Sequence, residues 1–137
     1  MATDSQLVAL YRYYAWTNNM RVHFEDTLKQ TEAVDITSPD GFYVAMYMSL
    51  WYGCLYILIE GWRTLRLENQ EIDALLRSSN VNLLRIYRNA TFHYQKDYLH
   101  EKYMTFLREG EATATWVRAI HNAFAGYFAC EFESPDA

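Results

Sequence analysis

The sequence is poor in the residues that build tight turns and disulfide frameworks. Its 137 residues include five glycines and two prolines, whereas strands joined by short turns need both residue types at each turn. A turn-rich β protein is therefore disfavoured. The two cysteines, Cys54 and Cys130, lie far apart and lack the spacing of metal ligands. We expect no disulfide framework, and this cysteine content fits a reducing, cytoplasmic location.

The chain is also short of positive charge. Its 12 lysines and arginines stand against 17 acidic residues, which gives a formal net charge of −5. Binding of nucleic acid by bulk charge is excluded, so any RNA contact must be local. A local excess of four positive charges lies within residues 77–108, where Asp97 and Glu101 are the acidic residues. It predicts either a phosphate-binding face or an ordinary solvated face. The basic residues there are Arg77, Arg85, Arg88, Lys96, Lys102 and Arg108.

The longest stretch without a charged residue, 41–59, has the length of a membrane span. It contains four tyrosines and a serine, which are costly in the middle of a bilayer. Asp40 and Glu60 bracket the stretch, and no cluster of positive charge flanks it. We therefore expect a helix buried in a bundle or dimer core rather than a membrane protein. The N-terminal MATDSQL also lacks the pattern of a signal peptide.

Apolar residues recur at helical spacing along most of the chain. They predict an all-α fold, a compact bundle of four to five helices, as one domain over residues 1–137. Asp4 or Ser5 is expected to cap the first helix, and residues 131–137 to form a flexible tail. The predicted helices cover 5–29, 42–67, 70–78, 81–93 and 112–130, with a loop at 31–41 and a helix or extended arm at 97–109.

Three side chains suited to phosphate chemistry lie close together in the sequence. Asn89 and His93 are four residues apart, so a helix places them on one face. Arg88 can grip a phosphate with its planar, permanently charged guanidinium. His93 can take or give a proton near neutral pH, and the amide of Asn89 can orient a substrate or water. Glu60, the first charge after the apolar stretch, either holds Arg88 or a histidine, or marks where that helix reaches solvent.

The stretch LLRIYRNATFHYQ resembles the signature of the HEPN (higher eukaryotes and prokaryotes nucleotide-binding) superfamily. In that signature an arginine, followed by a polar residue that is often asparagine, precedes a histidine by four to six residues. Arg88, Asn89 and His93 match it with four intervening residues. The segment LWYGCLYILIEGWRTL, followed by IDALL, is similar to the helices that precede the motif in compact bacterial members. The resemblance covers residues 40–130.

This resemblance implies a metal-independent endoribonuclease that needs no cofactor and acts as a toxin or phage-defence effector. His93 would assist attack of the ribose 2′-hydroxyl on the adjacent phosphate, Arg88 would stabilise the developing charge, and Asn89 would orient His93 or the substrate. The implied partners are RNA, a second copy of the chain in a homodimer, and an antitoxin protein. Some such toxins carry a modifiable tyrosine two residues after the histidine. Gln95 occupies that position here, which argues against this form of regulation.

Other functions stay open at this level. The same residues suit a non-catalytic HEPN-like module that binds nucleotide, RNA or a protein partner, and a purely structural helical dimer is a weaker option. A metal enzyme is disfavoured, although LYRYYAWTNNM is faintly similar to the first helix of DinB-like metal-binding bundles. Those proteins need a histidine on the second helix and a close histidine pair later, and both are missing. Glu25 and Asp26 are expected to lie on a solvated face.

Overall fold

The computed structural model describes residues 1–31, 37–97 and 110–132. All regular secondary structure within these ranges is helical, which confirms the predicted all-α bundle. Five helices pack together: α1 lies against α2 and α5, α2 against α4, and α3 against α5. The helices are α1 (Asp4–Lys29), α2 (Pro39–Thr64), α3 (Gln70–Leu75), α4 (Asn80–Phe92) and α5 (Gly110–Phe132).

The bounds of the helices differ from the predicted ones in several places. The predicted helix or arm at 97–109 falls outside the described residues from position 98 onward. Helix α5 begins at Gly110 and extends to Phe132, so the first two residues of the predicted tail belong to a helix. Residues 133–137 lie outside the described part of the chain.

The first helix is capped one residue earlier than the sequence analysis predicted. Thr3, rather than Asp4 or Ser5, is the N-cap residue. Its hydroxyl accepts from the backbone N–H of Gln6 at 3.2 Å, while the Gln6 side chain accepts from the backbone N–H of Thr3 at 2.8 Å. This reciprocal capping box satisfies two groups that an open helix end would leave without partners. It explains why Asp4 and Ser5 lie inside the helix.

Helix α2 is shifted by three residues toward the N-terminus relative to its predicted span. It begins at Pro39 inside the predicted loop, because Ser38 caps it and proline suits the first helical position. It ends at Thr64, and two residues later Arg66 adopts a left-handed backbone conformation with φ of 55°. The N–H of Leu67 then donates to the carbonyl of Trp62 and that of Arg66 to Arg63. This is a Schellman motif with arginine where glycine is usual.

Helix α2 forms the centre of the bundle. Its C-terminal half is buried on nearly all sides, including Trp51, Leu55, Leu58 and Ile59. Trp62 meets α5 edge-on, with ring centres 5.7 Å from Phe124 and 4.9 Å from Tyr127. Such large buried side chains supply most of the hydrophobic stabilisation of a domain this size.

Two glycines let neighbouring elements approach the backbone of α2. A Cβ atom at Gly61 would lie 2.6 Å from Cδ1 of Leu10 in α1, and one at Gly53 would lie 2.7 Å from Cε2 of Phe92 in α4. Both distances are shorter than a carbon–carbon contact allows. Gly53 therefore lets the C-terminal end of α4 pack closely against α2.

One helix in the described ranges, α2, is long and apolar enough to cross a membrane. Its most apolar 18-residue window has a mean hydropathy of 1.6, and 44% of that window is buried inside the bundle. The core helix of a soluble bundle meets the same criteria, so this feature is weak evidence for a membrane location.

Candidate functional site

The guanidinium of Arg88, near the C-terminal end of α4, is held by three neighbours. Its Nε donates to Oδ1 of Asn89 at 2.9 Å, and its Nη2 donates to Oε1 of Glu60 at 3.1 Å. Its Cζ lies 4.7 Å from the ring centre of Tyr56. A guanidinium carries five N–H donors, and these contacts use two. The remaining three, including both on Nη1, have no hydrogen-bonding partner within the described residues.

Glu60 lies beside the motif, as one of the two interpretations of the sequence expected. It is one helical turn from Tyr56 on α2, so a single turn of that helix presents a carboxylate and an aromatic face to Arg88. The side chain of Glu60 is 47% exposed and that of Arg88 is 22% exposed. The pair therefore orients the arginine at the surface and stabilises the fold only modestly.

His93 lies just beyond the last turn of α4. Its backbone N–H donates to the carbonyl of Asn89 at 3.1 Å, so it follows Asn89 by one turn, although the helix predicted over 81–93 ends one residue earlier, at Phe92. Its own backbone is extended, with φ of −116° and ψ of 136°. The side chain is exposed, and within the described ranges the imidazole has no hydrogen-bonding partner. Both ring nitrogens are thus accessible from solvent.

Two aromatic residues flank His93 and are exposed as well. Phe92 is 51% exposed although its ring edge lies against Gly53, and Tyr94 is 93% exposed. Large exposed aromatic side chains next to a polar site are common in interfaces. On α2, Phe42, Tyr43 and Met46 are also exposed.

The predicted basic stretch is only partly described. Arg77 and Lys96 are exposed, and Arg85 is exposed with its guanidinium bonded to Oδ1 of Asn82. Lys102, Arg108 and Glu101 lie outside the described residues. The local excess of positive charge around Arg88 therefore stays a prediction.

A second cluster of polar side chains lies between α1 and α5. Arg21 donates to Oε2 of Glu25 at 2.7 Å, and Arg118 donates to Oε1 of the same carboxylate at 2.6 Å. The hydrogen bond from Arg118 lowers the pKa of Glu25. Glu25, expected on a solvated face, has a side chain that is 26% exposed, and its carboxylate also bridges two helices. Asp26 is exposed, as expected.

His121 of α5 is the buried member of this second cluster, with 2% of its surface exposed. The indole N–H of Trp51 donates to its Nδ1 at 3.3 Å, and Oδ1 of Asn18 lies 3.2 Å from its Nε2. Because Nδ1 accepts, Nε2 carries the proton and donates to Asn18. Nε of Arg21 lies 3.2 Å from the same Nε2. Because that nitrogen carries a proton and cannot accept, Nε of Arg21 donates to Oδ1 of Asn18, which is 3.3 Å away.

The surroundings of His121 favour the neutral ring. Burial, and then the positive charge of Arg21, lower its pKa to about 4. A protonated ring would also turn an N–H toward the indole N–H of Trp51. His121 is thus a structural group that is neutral near pH 7 and unsuited to exchange protons with a substrate.

The described histidines do not share a site. His23 stacks on Tyr47 with ring centres 5.3 Å apart, His93 is exposed and His121 is buried, while His100 lies outside the described residues. Within the described ranges, no group of three or more histidine, cysteine or acidic side chains is placed to hold a metal ion. On α2, the residue that contacts His121 is Trp51, whose indole N–H is a donor and not a metal ligand.

The sequence analysis missed the cluster around His121. Its members come from opposite ends of the chain, so no local motif joins them. The available signal was the spacing of Asn18, Arg21 and Glu25, which lie on one face of α1. The matching signal on α5 was the pair Arg118 and His121, which lie three residues apart on that helix.

Comparison of the chain with protein-family profiles, with curated proteins and with solved structures gives no match. The likeness to HEPN proteins therefore rests on the motif residues Arg88, Asn89 and His93.

Proposed function

We propose that this protein is a HEPN-type endoribonuclease that cleaves RNA without a metal ion at the C-terminal end of α4. The observation that carries the proposal is the exposed imidazole of His93, which lies one turn beyond Asn89. Five residues earlier, Arg88 is oriented by Glu60 and Tyr56, and three of its N–H donors have no partner within the described residues. A proton carrier and an anchored cation are the minimum that this chemistry needs.

In the proposed reaction His93 takes the proton of a ribose 2′-hydroxyl. The 2′-oxygen then forms a bond to phosphorus while the bond from phosphorus to the 5′-oxygen breaks. Arg88 offsets the charge that develops on the non-bridging oxygens. The products are a 2′,3′-cyclic phosphate and a 5′-hydroxyl, whose proton comes from a second acid. DNA is not a substrate because it lacks the 2′-hydroxyl.

A homodimer with facing motifs would supply that second acid as the histidine of the other subunit. The exposed rings of Phe92 and Tyr94 beside His93 support an interface at this end of α4. As part of the same proposal, the protein is a cytoplasmic toxin or phage-defence effector that an antitoxin protein restrains.

The test is RNA cleavage by the purified full chain in EDTA, with matched controls. His93→Ala is compared with His23→Ala, which removes another exposed histidine, on α1. Arg88→Ala is compared with Arg85→Ala, which removes an exposed arginine one turn earlier on α4. Loss of the acid–base group is expected to slow cleavage about 10²- to 10⁴-fold, while both controls keep wild-type rates.

Cyclic-phosphate ends in the wild-type products are part of the expected result. Cleavage that survives His93→Ala, or products without those ends, would refute the assignment of His93.

The second candidate is a non-catalytic HEPN-like module that binds RNA, nucleotide or a protein partner. The ion pair between Glu60 and Arg88 favours it, because the carboxylate occupies part of the guanidinium that a phosphate would contact. In that case wild-type protein binds a labelled RNA in a fluorescence anisotropy titration without cleaving it. Arg88→Ala then weakens binding and Arg85→Ala does not.

A further inference from the structure

A hollow at the C-terminal end of α2 is lined by three arginines. It has a volume of about 380 Å³ and lies where α2, the following turn and α3 meet. Arg63 and Arg66 come from the end of α2 and its turn, and Arg77 comes from the chain just after α3. Trp62 and Leu76, both buried, also line it.

The two acidic residues at this hollow are fewer than its three arginines, and neither forms an ion pair with them within the described part of the chain. Both carboxylate oxygens of Asp73 already accept hydrogen bonds, Oδ1 from the indole of Trp62 and Oδ2 from the backbone of Asn69, each at 3.0 Å. Glu68, the other acidic residue of the lining, forms no ion pair within the described part of the chain. None of the three arginines is in an ion pair there either.

This arrangement is unusual for a chain with a net charge of −5. Acidic side chains outnumber basic ones overall, yet three arginines and two acidic residues line this hollow, an excess of one positive charge. One hydrogen bond holds Arg63, whose Nη2 donates to the carbonyl of Leu76 at 3.2 Å, and its other N–H groups have no partner within the described residues. Guanidiniums that line one hollow can donate to several oxygens of one phosphate.

We propose that this hollow binds a phosphate group, with Arg63, Arg66 and Arg77 as its donors. The ligand class is a phosphate dianion, either the free ion or the phosphomonoester of a small molecule. The site uses none of the residues assigned to RNA cleavage, so this proposal can be tested independently of that function.

Arg66 provides a sharp test because its backbone favours glycine. At φ of 55° an arginine is strained and a glycine is not. Arg66→Gly therefore removes one guanidinium and is expected to melt no lower than the wild type. Arg85→Ala is the matched control, since it removes the same charge from an exposed position on α4, outside this lining.

The experiment titrates inorganic phosphate into the full chain at constant ionic strength, set with chloride. Thermal unfolding and calorimetry are the readouts. Wild-type protein should bind saturably and melt at a higher temperature as phosphate rises. Arg66→Gly is expected to weaken binding about tenfold, the effect of losing one charge-assisted contact, and Arg85→Ala to leave it unchanged. Arg77→Gln, a separate variant, removes another of the three guanidiniums and should weaken phosphate binding by a similar factor.

A parallel titration with glycerol phosphate distinguishes the two sources of the phosphate. Tighter binding of the ester identifies a phosphomonoester as the ligand, and equal binding identifies the free ion. The proposal is overturned if chloride raises the melting temperature as much as phosphate does. It is also overturned if both arginine variants bind phosphate like the wild type.

Discussion

The end of α4 and the contact between α1 and α5 each carry an arginine and a histidine, and they differ in how far these side chains are buried. At the end of α4, the His93 ring is exposed without a hydrogen-bonding partner in the described ranges, and Arg88 keeps free donors. Between α1 and α5, His121 is 2% exposed and both ring nitrogens are engaged. Similar residue types thus serve a candidate reaction in one place and the packing of helices in the other.

This difference shows why residue type alone does not identify a functional site. A buried polar network must be fully satisfied, because an unpaired polar group in the interior is costly. The network around His121 meets that requirement, since within the described ranges no buried side-chain nitrogen or oxygen lacks a partner. His121 is therefore held in place with its single N–H engaged by Asn18, whereas the imidazole of His93 is exposed and has no hydrogen-bonding partner in the described ranges.

The largest expected contrast is between alanine substitutions of the two histidines. His121→Ala leaves a cavity and removes the acceptor of the Trp51 indole, so we expect a loss of about 3 to 4 kcal/mol in unfolding free energy. His93→Ala should change it by less than about 0.5 kcal/mol. Urea denaturation of both variants measures the contrast. Equal losses would mean that the described burial of His121 is wrong.

The second contrast is in the response to acid. The pKa of His121 is about 4, below its ordinary value of 6.5, so between these values the unfolded chain binds a proton that the folded chain does not. Stability is therefore full above pH 6.5 and is lost as pH falls toward 4, by about 3 kcal/mol in total. Glu25, whose pKa is lowered chiefly by its hydrogen bond with Arg118, adds a further loss at lower pH.

Urea denaturation at several pH values tests this expectation. His121→Gln removes the titrating group, so its unfolding free energy should depend less on pH between 6.5 and 4 than that of the wild type. An unchanged pH dependence in His121→Gln would assign the acid sensitivity to other residues.

A third contrast separates the two carboxylates. Glu25 bridges Arg21 and Arg118 and is 26% exposed, whereas Glu60 pairs with Arg88 alone and is 47% exposed. Glu25→Gln should therefore cost about 1 kcal/mol of unfolding free energy, and Glu60→Gln less. Glu60→Gln should instead raise RNA affinity, since it removes a carboxylate that competes with phosphate for Arg88. Weaker RNA binding by Glu60→Gln would show that the carboxylate is needed to orient the arginine.

The sequence predicted the class of fold because two local properties are visible in it, the long uncharged apolar run of α2 and the helical spacing of apolar residues in α5. For Glu60 it left two interpretations open, a contact with Arg88 or a histidine and the point where α2 reaches solvent. The structure shows the contact with Arg88, on a side chain that is 47% exposed. The sequence could not predict the contact of His121 with Asn18, which depends on how α5 packs against α1. The end of α2 was also missed, because an arginine occupies the left-handed position where glycine is the usual signal.

The smallest expected effect concerns the seating of α4, on which the position of His93 depends. Alanine is favoured over glycine in a helix by about 1 kcal/mol. Gly126→Ala on α5 should show that gain, since nothing lies within 4 Å of the added methyl group. Gly53→Ala should lose most of it, because its methyl group would lie 2.7 Å from the Phe92 ring.

Phe92 is half exposed and can swing outward, so the fold of Gly53→Ala should survive within about 1 kcal/mol of the wild type. The end of α4 would then shift. If His93 acts in RNA cleavage as proposed, the cleavage rate should fall more than stability does, because misplacing a catalytic group slows the reaction. Thermal unfolding and cleavage assays on both alanine variants separate the two effects. If Gly53→Ala gains as much stability as Gly126→Ala and cleaves RNA normally, Phe92 does not set the position of His93.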